Sequence, residues 1–201
     1  MCVLLWLKRV AIKKENVMAK KSVSSCCVLR SAAHTVDKRR GGSGGAVRKR
    51  CDGRDGVVAV WGMGIYPYSL YFVYGDMGEG ERCVWCERFE VMEVDGKVSD
   101  AEPEVLGRVL ERVGMMTMGV RDRRDGGLGV CVFVSDAMAY SFGGYSHEAN
   151  HVADFVCEQT GVRFGSYREG EAHAYIAGWA ARMMIDYALE RFVSQNKEES
   201  V

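Results

Sequence analysis

Residues 147–151 read His-Glu-Ala-Asn-His, an H-E-x-x-H spacing suited to metal-assisted hydrolysis. On a helix, positions i and i+4 stand one above the other, so His147 and His151 would present two imidazoles to one Zn²⁺ ion. Glu148 follows the first of them and would project beside the metal rather than onto it. From there its carboxylate can take a proton from a zinc-bound water whose pKa the metal has lowered to about 7. Catalytic zinc usually keeps three protein ligands and one open position. The third is expected from Glu171, at the start of the next helical stretch, with Glu169 as its competitor. Glu171 is preferred because Ala172, Tyr175 and Ile176 share or adjoin its face, which would make the packed face and the metal face coincide.

Other polar side chains lie close by in sequence. Asp154, on the turn after His151, either holds an imidazole tautomer or is an exposed helix carboxylate. His173, Tyr175 and Tyr145 are the candidates for polarising a scissile carbonyl, since donors aimed at a developing oxyanion give large rate gains. At its helical spacing Tyr175 also reads as a core residue.

The pattern predicts the elements that must position these groups. Tyr66–Tyr74 is aromatic and β-branched and reads as a strand buried on both faces. Phe89–Val94 is a second strand candidate, ending at Asp95-Gly96. Apolar residues recur at helical spacing across Ala101–Val113, with Gly114 as the C-cap. Met115–Val120 and Leu128–Val134 flank a polar, Gly-rich loop and form a hairpin. Ser141 or Ser146 caps a helix running to about Gln159, with Gly161 beyond it, and a second helix follows over roughly Glu169–Val193. The expected fold class is therefore α+β: a small twisted sheet packed on the H-E-x-x-H helix and on a following Glu-bearing helix.

The stretch YSHEANHVADFV…GEAHAYIAGW resembles the core of small phage and prophage zinc-metallopeptidase-like proteins of the gluzincin type. Their pattern is HEAxHxxD, a short loop, then an E-A-x-A-Y helix, and IYPYSLYFVY is similar to the aromatic strand that opens their sheet. The resemblance covers residues 64–192, its specific part being the final fifty or so. It implies a minimal zincin fold with zinc on His147, His151 and Glu171 and Glu148 as base. Two departures stand out. Larger gluzincins place an acid four residues after the ligand Glu, where this chain has Tyr175. They also carry a C-terminal domain forming the far wall of the cleft, whereas this sequence ends soon after the second helix.

Charge is divided unevenly. Residues 1–55 hold 14 Lys/Arg against 4 Asp/Glu, while the rest holds 13 against 23. The organisation read from this is a basic arm at 1–55, expected to be disordered, a zincin-like metal-binding domain at 56–194, and a polar tail at 195–201. The arm's charge leaves nucleic acid open as a partner. Of the 8 cysteines only Cys83 and Cys86 form a C-x-x-C, with no second pair to close a structural zinc site, so reduced thiols in a cytoplasmic protein are expected. The apolar opening Met1–Leu7 precedes its charges, Lys8 and Arg9, the reverse of a signal peptide, and no stretch approaches the roughly twenty apolar residues of a membrane span. The leading reading is a zinc-dependent peptidase acting on a peptide or protein substrate. The alternatives are a non-catalytic, zinc-stabilised accessory protein and, third, a nucleic-acid binder acting through the arm.

Overall fold

The computed structural model describes residues 48–50, 57–93, 96–162 and 170–198, all within one compact unit spanning 44–201. Seven strands form one sheet: β1 (Arg48–Arg50), β2 (Ala59–Gly62), β3 (Ser69–Tyr74), β4 (Phe89–Met92), β5 (Val98–Asp100), β6 (Met115–Asp122) and β7 (Leu128–Val134). Their order is β1-β2-β3-β7-β6-β4-β5, antiparallel except for the parallel pair β3–β7. Among the described residues four α-helices accompany them: α1 (Glu79–Arg88), α2 (Pro103–Val113), α3 (Phe142–Thr160) and α4 (Glu171–Glu198). The fold is mixed α+β, as the pattern predicts.

The centre of the sheet is buried on both faces. In β3 the four residues Leu70–Val73 are all buried, and β7 is buried from Gly129 to Val134. Alternation sends Leu70, Phe72, Val130 and Val132 to one side, where they join Tyr145, Ala149, Val152, Ile176, Ala180 and Met184 of α3 and α4 in one cluster. On the other side Trp85 of α1 meets Phe89 and Phe133 at ring separations of 5.1 and 5.2 Å. The sheet is thus a middle layer between two helical ones.

Several local expectations meet their structural counterparts. Gly114 and Gly161, at φ +67° and +68°, close α2 and α3 in a conformation that costs glycine nothing. Ser141 is the N-cap of α3, its hydroxyl accepting from the Gly144 amide at 3.3 Å. Helix α4 continues to Glu198, through most of the stretch expected to be a polar tail. Helix α1 and strands β2 and β5 lie where the sequence pattern signalled no element. Strand β1 pairs with β2 inside the segment expected to be a disordered arm, and the rest of 1–55 falls outside the described residues. Among the described residues no helix is long and apolar enough to cross a membrane.

Candidate metal centre

Helix α3 lies along β6 and runs in the same direction. Its packed stripe is Tyr145, Glu148, Ala149, Val152, Ala153, Val156 and Cys157, a 3.6-residue repeat that seats the helix on the sheet. Three close approaches fix the register. A Cβ at Gly144 would lie 2.4 Å from Met115 Sδ, and one at Gly119 would lie 2.3 Å from Phe155 Cε2. Between them the Thr117 hydroxyl donates to Glu148 Oε2 at 2.6 Å. Glycine at 119 and 144 is what lets helix and strand come this close.

Glu148 therefore occupies a position that is otherwise apolar all along the stripe. It is 6 % exposed, and Thr117 is its side-chain partner. His147 and His151 flank the stripe on the exposed side, their Nε2 atoms 3.2 Å apart and their rings nearly perpendicular at 88°. Two nitrogens bound tetrahedrally to one zinc, each at 2.0–2.1 Å, would stand about 3.3 Å apart. The pair thus fits two of the ligand positions of a zinc ion, and in its absence one imidazole can donate to the other.

The remaining candidates sort by their position on α4. His173, Ile176 and Ala180 follow the buried side of that helix, and His173 Nε2 lies 2.9 Å from Asp154 Oδ1 on α3. The second carboxylate oxygen of Asp154 is 3.8 Å from His151 Nδ1. Asp154 thus stands between two imidazoles, in keeping with a role in orienting a ring. Glu171 is exposed on the first turn, and Tyr175, one turn later, is 77 % exposed. The packed face of α4 therefore runs through His173 rather than through Glu171 and Tyr175, and Tyr175 is not a core residue. Glu169 falls outside the described residues. Among the described residues no three His, Cys, Asp or Glu side chains are gathered closely enough to hold a metal ion as they stand.

Tyr145 is fully buried and donates to the Ala139 carbonyl at 2.5 Å, so its hydroxyl is committed to the core. Burial, reinforced by Tyr74 and Tyr140, pushes its pKa well up and keeps it protonated. Burial likewise raises the Cys86 thiol to about 11, with Cys83 adding to it. A thiol held protonated in this way is a poor nucleophile near neutral pH.

Thr117 gives no signal in the sequence, because a Thr inside a strand is ordinary β-former chemistry. Only the helix-to-strand register identifies it as the group facing Glu148. Comparison with known proteins returned no match to any family model, curated protein or solved structure.

Proposed function

We propose that the chain is a zinc-dependent, metallopeptidase-like hydrolase of minimal zincin type, with His147 and His151 as metal ligands and Glu148 as general base. The third ligand in this reading is Glu171, on the first turn of α4. The observation that carries the proposal is the convergent Nε2 pair at 3.2 Å beside a carboxylate buried on the same helical turn. Zinc, when bound, supplies Lewis acidity and lowers the pKa of water to about 7. In this reading Thr117 holds one oxygen of Glu148, and the other would accept the proton of the attacking water and return it to the leaving amine. Among the described residues, no strand pairs with Met115–Gly119 on the side away from β7, since β4 begins its pairing at Val120. That backbone suits an extended peptide added as a further strand.

Two substitutions separate the roles. Glu148→Gln should keep the metal and the fold while lowering peptide cleavage about 10²–10⁴-fold, the usual contribution of a general base. Glu171→Gln should instead weaken zinc retention, measured by metal analysis after dialysis. Equal loss of metal from both variants would refute the assignment of Glu148 as base. A zinc-loaded parent that cleaves nothing in a broad peptide library would favour the non-catalytic accessory role.

A further inference from the structure

A carboxylate between two imidazoles on neighbouring helices asks for a reason, because Asp154 and His173 lie apart from the Nε2 pair itself. His173 belongs to the packed side of α4, with a side chain 18 % exposed, so its ring has little freedom. Its Nε2–H donates to Asp154 Oδ1 at 2.9 Å and ties the start of α4 to the middle of α3. Held this way, Asp154 turns Oδ2 toward Nδ1 of His151, 3.8 Å away and three residues back on the same helix. A carboxylate facing Nδ1 favours the tautomer that carries its proton there. The Nε2 atom of His151 is then a bare lone pair, and it is the atom that faces Nε2 of His147. With that tautomer at His151, the proton of the contact would come from His147 in the metal-free chain.

We propose that His173 and Asp154 act as a positioning pair across the two helices, the Asp154 charge 3.8 Å from Nδ1 biasing His151 toward the tautomer with Nδ1 protonated and Nε2 open to a metal. Neither residue is a ligand in this account. Its use for zinc rests on the hydrolase reading above, but the tautomer it sets does not require that the chain bind zinc at all. The same geometry assigns His173 a role other than donating to an oxyanion, because its Nε2–H is committed to Asp154.

The test reads the ring directly. The chain has only 4 histidines, so long-range ¹H–¹⁵N spectra of the metal-free full-length protein can be assigned ring by ring. The expected result is His151 protonated on Nδ1 and His147 on Nε2. His173→Leu and Asp154→Ala should mix the His151 tautomers with unchanged far-UV circular dichroism. His173→Gln, which restores a donor to Asp154, should recover the parent spectrum. Co²⁺ serves as a second probe: its dissociation constant, by chelator competition, should rise about 10–100-fold in His173→Leu and recover in His173→Gln. The visible Co²⁺ spectrum should keep its shape throughout. An Nε2-protonated His151 in the parent, or a tautomer indifferent to both Asp154→Ala and His173→Leu, overturns the proposal. A Co²⁺ spectrum that changes in His173→Gln also overturns it, by making His173 a ligand. A parent that binds no Co²⁺ yet shows the expected tautomers refutes the hydrolase reading and leaves the positioning pair standing.

Discussion

The two ends of β6 each meet a buried carboxylate, and the two are treated in opposite ways. Asp122, at the end of the strand, is 3 % exposed and surrounded by donors. Arg88 reaches it through Nε at 3.0 Å and Nη2 at 2.7 Å, the Arg124 amide donates at 3.0 Å, and the Tyr71 hydroxyl lies at 3.4 Å. The guanidinium also lies over Phe89, 4.6 Å from the ring centroid. Glu148, packed against Thr117 nearer the start of the strand, is almost as buried but takes one hydroxyl. A buried charge is stabilised by many donors, and a base needs an oxygen left over. Asp122 has the arrangement of a structural clamp that joins α1 to the sheet. Glu148, with a single hydroxyl partner, is in the proposed reading the group kept available for a proton.

That contrast can be broken by measurement. Arg88→Met would leave Asp122 buried without its countercharge, and urea unfolding should show a loss of about 3–5 kcal/mol. Thr117→Val should cost less, about 1–3 kcal/mol, because it removes one neutral hydroxyl donor rather than a countercharge from a buried carboxylate. If the two losses were equal, or reversed, the distinction between clamp and base would fail. A further effect concerns alkali. Burial, and then the Asp122 charge, lift the Tyr71 phenol from 10.0 to about 12. The folded chain therefore keeps a proton that the unfolded chain releases, and stability should fall as pH rises from 10 to 12. Tyr71→Phe should lose less stability over that window, read from denaturation midpoints at each pH.

The helix bearing the histidines was legible because three signals agree there: the Ser141 cap, the apolar 3.6-residue repeat and Gly161 at its end. The hairpin and the helix ending at Gly114 were legible for similar reasons. Helix α1 was not, since it buries a single residue, Trp85, and carries Gly80 and two cysteines. Its acidic first turn at Glu79 and Glu81 and basic last turn at Arg88 were the available signals. Strand β5 is three residues with two polar side chains exposed, so it has no apolar alternation to read. At the site, spacing within one helix located His147, Glu148 and His151. The facing of α4 is not legible in the sequence, because Glu171, Ala172, Tyr175 and Ile176 look like one stripe until the packing of Ile176 and Ala180 fixes which side is inward. Thr117 and the Asp154–His173 contact depend on tertiary register, which no short sequence window carries.

The central claim is that His147 and His151 hold a metal on which Glu148 can work. Its most direct test is metal analysis of the purified full-length protein beside the His147→Ala, His151→Ala and double variants. The expected result is about one zinc per parent chain and none retained by any of the variants. A parent without zinc after growth and purification in its presence, or stoichiometric zinc surviving in the double variant, would contradict the claim. Zinc surviving in that variant would shift attention to Cys83 and Cys86 on α1.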